Sequence, residues 1–314
     1  MKILEKKKDK DFIILNLSDP QMSDNEWKKG HAYREIIEYT VKELVKRINP
    51  DLITITGDVA WAEHYTSYEN FASLMDSTGI KWAYVWGNHD HQCGIKSLQK
   101  AQELMSKHPL CLFDVGDKIY GNGNYILSVR EEETPICALF MIDSHNSTYI
   151  KVNNENKWAY DKLWPEQIEW IGKQAIELKI AGYKNAALFL HIPPYCYKKA
   201  SEKTFPKGYG ESEYGSQNEP VFSHPCEDGV LSMVRESGLI THILAGHDHT
   251  NNWMIDYEGV KLMFAAKTGA GGYWQEKLNG GTVIKINENG IYDAYHEFVN
   301  VSHFTIGKNI PEFE

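Results

Sequence analysis

The 314-residue chain has little to tie it to a membrane, a nucleic acid or an oxidising compartment. No apolar run approaches the roughly 20 residues that span a bilayer. The N-terminal stretch MKILEKKKDKD is charged and lacks the apolar core of a signal peptide. Positive charge is in deficit. The formal net charge is −10, which disfavours a general nucleic-acid or anionic-membrane binder, because either surface would repel it. A local anion site stays allowed, since bound cations reverse the field inside a cleft. Cysteines number five, widely scattered (Cys93, Cys111, Cys137, Cys196 and Cys226). None forms a CxxC pair, so neither a disulfide framework nor a structural zinc knuckle is indicated, and a reducing cytoplasm is the expected setting. Repeats and low-complexity tracts are absent as well. What remains, 42 % hydrophobic and 24 % charged residues, is the composition of a globular protein with a substantial core.

Short apolar runs alternate with helical patterns through the first third of the chain. Phe12–Leu17, Leu52–Thr56 and Trp82–Trp86 read as strands; His31–Ile48, Tyr68–Met75 and Ile95–Ser106 read as helices. Strands apolar along their whole length belong to a sheet covered on both faces. Asn124–Val129 and Cys137–Ile142 read as a hairpin turned by REEETP. Pro165–Leu178 is a predicted helix with proline in its first turn. Ala186–Leu190 and Ile240–Ala245 are predicted strands, with a helix at Gly229–Glu236 between them. Strands at Trp253–Tyr257, Lys261–Ala265, Gly281–Ile286 and Ile291–Phe298 follow. From Ala200 to His224 the chain is polar and aperiodic, which in a compact domain predicts a lid or rim. One domain over 1–314 is expected, with a core of about 11–300 and terminal extensions at 1–10 and 301–314.

Chemically reactive side chains gather just after these strands. Asp19 and Gln21 follow the first in LSDPQ, Asp58 the second in TGDVA, and Asn88, His89 and Asp90 the third in WGNHDH. His191 ends AALFLH, and GHDH follows THILA, with His247 and His249 spaced to point the same way from extended backbone. Ligand sites of α/β sheets form beyond the carboxyl ends of strands. Each residue alone has an ordinary explanation: a turn or helix cap for Asp19 or Asp58, a common turn for GNHD, a core histidine for His191. Jointly, those explanations require every residue type to fall at the same end of its strand by chance. Imidazole, carboxylate and amide oxygen together suit a transition ion such as Mn, Fe or Zn better than Ca or Mg. Seven donors are too many for one ion but suit two that share a carboxylate. Paired ions roughly 3.5–4 Å apart activate a water and clamp an in-line displacement at phosphorus.

The ordered blocks D-x-Q, GDVA, WGNHDH, FLHIPPY and AGHDHTNN resemble the calcineurin-like metallophosphoesterase superfamily, whose motifs D-x-H, G-D, G-N-H-[DE], H and G-H-x-H run in this order. DSHN (Asp143–Asn146), YDKLWPEQIEWI, HIPPY and GHDHTNNW look most like its small purple-acid-phosphatase-like branch. The resemblance implies an α/β fold: a four-layer α/β/β/α sandwich of mixed sheets, with a dinuclear metal site at the C-terminal ends of the strands. It implies one ion held by Asp19, Asp58 and His249, with Gln21 where the family has histidine. A second would be held by Asp58, Asn88, His191 and His247, Asp58 bridging. His89 is expected to donate a proton or hydrogen bond to the phosphoryl or leaving oxygen, and Asp90 to orient its ring.

The implied activity is phosphoric ester hydrolysis by a metal-bridging hydroxide in in-line attack. Monoesters are favoured, and diesters, cyclic nucleotides included, are the alternative. A non-catalytic scaffold of the same fold is the reading from another class. The expected partner is a small-molecule phosphoester, with no nucleic acid and no membrane; oligomeric state is not legible. Two departures from family patterns matter. Ala60, Trp61 and Ala62 stand where protein Ser/Thr phosphatases continue G-D-x-x-D-R. Trp61 also replaces the tyrosine that binds ferric iron in true purple acid phosphatases, so no tyrosinate-to-iron colour is expected. Gln21 is either a direct ligand or a hydrogen-bond partner of a metal-bound water. Trp61, Tyr195, Tyr214, Tyr273 and Trp274 are candidates for stacking on a base or sugar.

Overall fold

The computed structural model describes residues 1–304. The chain opens with β1 (Lys2–Glu5), β2 (Phe12–Leu17), α1 (Ala32–Ile48), β3 (Leu52–Thr56), α2 (Tyr65–Ser77), β4 (Trp82–Val85) and α3 (Ile95–Met105). Two hairpins follow, β5 (Tyr125–Glu131) with β6 (Thr134–Met141) and β7 (Ser147–Val152) with β8 (Glu155–Tyr160). Next come α4 (Pro165–Ile180), β9 (Asn185–Leu190), α5 (Tyr195–Thr204), β10 (Gly210–Ser212), β11 (Gly215–Gln217) and α6 (Val230–Ser237). β12 (Ile240–Ala245), β13 (Met254–Tyr257), β14 (Val260–Phe264), β15 (Gly280–Asn287) and β16 (Gly290–Phe298) complete the order.

The strands form two mixed sheets. One has five strands in the order β16-β15-β2-β3-β4, with β2, β3 and β4 parallel and β15 antiparallel to β2. The other has seven in the order β1-β5-β6-β9-β12-β14-β13, with β6, β9, β12 and β14 parallel. Period-two alternation makes the layers. In β9, Ala187 and Phe189 enter the core between the sheets, whereas Ala186, Leu188 and Leu190 enter the core beneath α4, α5 and α6. Both faces of the strand are thus buried, which is why it reads as a continuous apolar run. On the far side, Ile36, Ile37, Val41 and Leu44 of α1 and Tyr68 and Phe71 of α2 cover the five-stranded sheet. The result is the expected α/β/β/α sandwich.

Three segments differ from the sequence expectation. Lys2–Glu5, inside the expected N-terminal extension, pairs parallel with β5 as an edge strand. Only Leu4 of its four residues is buried, so it carries no apolar run to signal it. The β7–β8 hairpin lies outside both sheets, and its largely solvated pattern gave no periodic signal either. The stretch from Ala200 begins inside α5, whose buried face of Cys196, Tyr197, Ala200 and Ser201 straddles the HIPPY motif and the polar region. Residues 305–314, the end of the expected C-terminal extension, lie outside the described residues. Among the described residues no helix is long and apolar enough to cross a membrane.

Candidate metal centre

The parallel strands β2, β3 and β4 and, from the other sheet, β9 and β12 deliver their terminal residues to one cluster. Four of these residues have left-handed backbone: Asp19 (φ 54°), Gln21 (46°), Asp58 (49°) and His247 (76°). Non-glycine residues adopt that region at a cost and keep it where surrounding contacts over-determine it. Those contacts are present. The Asp19 amide donates to Gly57 O at 3.2 Å and the Gln21 amide to Asp58 O at 2.8 Å. The His247 amide donates to both Asp19 carboxylate oxygens at 3.2 Å, a link between residues 228 positions apart. Buried Lys267 donates to the Asp19 carbonyl. The motif glycines are there for close approach. A Cβ at Gly87 would collide with the Asp58 carboxylate, and one at Gly246 with Ser18 Oγ and the Thr56 carbonyl.

The side chains converge in two overlapping groups. Donor atoms of Asp58, His191 and His247 lie within 4.8 Å of one another, as do those of Asp19, Asp58 and His249. Asp58 belongs to both. His191 Nε2 is 2.9 Å from Asn88 Oδ1, 3.3 Å from Asp58 Oδ2 and 3.2 Å from His247 Nδ1. Its other nitrogen, Nδ1, is 2.8 Å from the Thr56 carbonyl and donates to it, so in the neutral ring Nε2 carries a lone pair. His249 repeats the device: Nδ1 donates to Tyr273 O at 2.7 Å, and Nε2 faces Asp19 Oδ1 at 3.3 Å. Lone pairs of nitrogen and oxygen facing one another at these distances require positive charge between them. A proton on His191 or a metal ion supplies it.

Orphaned atoms point to the same requirement. Five buried side-chain polar atoms among the described residues lack a hydrogen bond, and three belong here: Gln21 Oε1, Asp58 Oδ2 and His247 Nε2. An unpaired buried polar atom is costly, so a cluster of them marks a place for a ligand. Gln21 Oε1 also faces Gly272, where a Cβ would overlap it and approach His249. This donor set fits transition ions.

Electrostatics agree with the geometry. Burial works against charge at Asp19, but His249, His191 and Lys267 outweigh it and hold the carboxyl below its usual range. Burial is likewise outweighed at Asp58, here by His191 and His89. Burial lowers His191 as well, yet the Asp58 and Asp19 carboxylates raise it to about 10. His247 is pushed well below the ordinary value by burial and by the neighbouring His191. The proton on His191 stands in for cationic charge that the carboxylates demand.

His89 sits at the edge of the cluster, its ring partly exposed and Nε2 3.9 Å from Asp58 Oδ2. Its backbone amide donates to Asp58 Oδ1 at 2.9 Å. The Gln92 amide lies 2.6 Å from His89 Nδ1, which leaves Nε2 to carry the proton, and the Trp61 ring packs edgewise at 4.4 Å. Asp90 does not orient this ring, contrary to expectation. The turn drives its carboxylate inward, where it accepts from the amides of Gly87, Ala60 and Val59 and from the Tyr68 hydroxyl. Burial and then Asp58 raise its pKa. Gln92, rather than Asp90, is the side chain hydrogen-bonded to the ring.

Other contributors were hidden in the sequence. Glu219, wholly buried in the polar loop, accepts from the Thr250 amide at 2.5 Å and hydroxyl at 2.9 Å and from the Tyr273 hydroxyl at 2.6 Å. Tyr273 lies flat on His249, with ring centroids 4.0 Å apart and planes 15° apart. Of the other aromatic candidates, Trp61 meets His89, Trp274 is buried, and Tyr214 lies exposed beside the β10–β11 turn. Tyr160, not among the sequence candidates, packs edgewise on His247 at 4.4 Å. The length and aperiodicity of the loop carrying Glu219 were the only signal of its involvement.

Comparison with known proteins points to one family. The family model described as calcineurin-like phosphoesterase matches residues 12–251. Phosphatase DCR2 of Saccharomyces cerevisiae is 27 % identical over 278 residues, which is 81 % of this chain and 47 % of that protein. An Arabidopsis thaliana protein named probable inactive purple acid phosphatase 14 is 25 % identical over 260 residues, 72 % of this chain and 60 % of its own. The chain spans about half the length of the curated relatives it matches. Among solved structures, a dimetal phosphatase from Danio rerio aligns over 91 % of this chain and 98 % of its own, with a TM-score of 0.52 at 12 % identity, a likeness of fold.

Proposed function

The chain belongs to the calcineurin-like phosphoesterase family, and from that premise we propose that it is a phosphomonoesterase working with two transition-metal ions of the Mn, Fe or Zn type. The observation that carries the reading is the position of Asp58. It sits in both donor groups, and its buried Oδ2 has no well-aligned hydrogen bond, with His191 Nε2 3.3 Å away. Asp19, His249 and Gln21 would hold one ion with Asp58; Asn88, His191 and His247 would hold the other. When bound, such ions supply Lewis acidity toward phosphoryl oxygens and an activated water.

The chain's own residues do the rest. Thr56 and Tyr273 carbonyls fix the tautomers of His191 and His249, so that each ring offers Nε2 to the centre. Asp90 anchors the GNHD turn, which sets Asn88 and His89 in place. His89, with Gln92 on Nδ1, presents a protonated Nε2 to the ester oxygen that departs. The five cysteines, all free thiols, support a cytoplasmic setting.

Release of nitrophenol from mono- and bis-nitrophenyl phosphate, with Mn and with a chelator, tests this. The expected result is metal-dependent hydrolysis, faster on the monoester. Preference for the bis-ester would make it a phosphodiesterase. Silence on both after metal reconstitution would overturn hydrolysis in favour of a scaffold, a reading kept in view by the word inactive in the name of a relative.

A further inference from the structure

The β7–β8 hairpin carries a row of aromatic rings that starts at the metal centre and ends in solvent. Ser147 pairs with Tyr160 and Tyr149 with Trp158, so Tyr149, Trp158 and Tyr160 share one face of the ribbon. Tyr160 packs edgewise on His247 at 4.4 Å, and Trp158 packs edgewise on Tyr160 at 4.7 Å. Phe222, on the polar loop, frames the inner end at 6.3 Å from Tyr160. The opposite face of the ribbon is anchored by buried Ala159. Trp158 is 53 % exposed and Tyr149 71 % exposed.

A cross-strand pair on a small hairpin accounts for Tyr149 opposite Trp158. It does not account for Tyr160, whose cross-strand partner is Ser147, nor for the unbroken sequence of rings down to His247. Large rings left half in water beside a polar cluster of buried donors are what a ligand with a planar apolar part would cover.

We propose that this strip receives the alcohol part of the substrate and takes a planar aromatic ring, so that the preferred substrate is a phosphate monoester of a ring-bearing alcohol. The assignment rests on the phosphomonoesterase reading for the position of the phosphate. The strip offers two depths. Tyr160 is within reach of a ring joined directly to the ester oxygen, as in an aryl phosphate. Trp158, one ring further out, is within reach of a ring separated from the phosphate by a sugar, as in a nucleoside monophosphate.

Calorimetric binding to the Mn-loaded protein separates the possibilities. The probes are phenyl phosphate, adenosine 5′-monophosphate and glycerol 1-phosphate, which has no ring. Wild type should bind at least one ring ester more tightly than glycerol phosphate. If that ester is the nucleotide, Trp158→Ala should weaken it by about 5- to 100-fold, the range for loss of a stacked aromatic, and leave phenyl phosphate and glycerol phosphate within about twofold. Trp158→Phe, which keeps a ring, should recover most of the loss. A wild-type preference for phenyl phosphate that survives Trp158→Ala selects aryl esters held at Tyr160, and dependence of the nucleotide on Trp158 selects nucleosides. Equal weakening of all three probes, or no preference of wild type for a ring, overturns the assignment. Ring-dependent binding without hydrolysis would sink the catalytic reading and leave the strip standing.

Discussion

Tyr273 lies parallel to His249, 4.0 Å ring to ring, while its hydroxyl is tied to buried Glu219. Glu219 also holds Thr250, the residue after His249. The imidazole is therefore positioned from a loop about 30 residues away in sequence. Glu219→Gln keeps the shape and removes the charge. Retention of Mn, read by titration against a chelating indicator, should weaken by about 10- to 100-fold, as for groups that orient a ligand. Unchanged retention would mean that the Tyr273 ring and carbonyl position the imidazole without Glu219.

Gln21 separates two uses of an unpaired amide oxygen. If Oε1 binds an ion, Gln21→His should hold that ion more tightly, because imidazole is the stronger donor for a transition metal. The slower loss of metal on dialysis measures it. No change in retention or in rate would make Gln21 a bystander.

Asp58→Asn and His89→Asn should fail differently. The first removes the shared carboxylate, so both ions should be lost, with metal content by mass spectrometry falling along with hydrolysis. The second should keep metal and lose about 10²–10⁴-fold in turnover, the usual cost of removing a general acid. A His89→Asn protein that loses metal would place the ring among the ligands instead.

His296 predicts an acid-sensitive fold. Its Nε2 donates to Asn252 O at 2.8 Å, and its Nδ1 accepts from Thr282, whose oxygen already accepts from the Ala266 amide. The neutral ring is thus fully satisfied, and burial pushes its pKa down to about 4. The unfolded chain takes up a proton first, near the ordinary 6.5, so stability falls as pH drops from there to about 4. The loss should be on the order of 3 kcal/mol, visible in denaturant midpoints measured across that window. His296→Gln should flatten the slope.

The parallel strands were legible because burial on both faces leaves an unbroken apolar run, as in AALFL, and the candidate donors sit immediately beyond those runs. Hairpin β7–β8 was not, since KVNNENK is solvated and only Ala159 is fully covered. Asp90 was misjudged because adjacency to His89 in sequence says nothing about which way a turn aims a carboxylate; here Gly87, Ala60 and Val59 amides capture it. Glu219 was invisible for another reason. Its worth depends on Thr250 and Tyr273, and no local pattern announces a contact made across 31 or 54 positions.

The hydrogen bond from His247 to Asp19 joins residues 228 positions apart, and this bears on how the protein is made. Asp19, Asp58 and Asn88 leave the ribosome long before β9 and β12 exist. During that interval the nascent chain shows carboxylates without the imidazoles that complete either donor group, and Asp19 has no His247 amide to hold its backbone. Pairings of such long range form late. On the proposed ligand set, a complete centre would therefore take up its ions only after translation has passed His249.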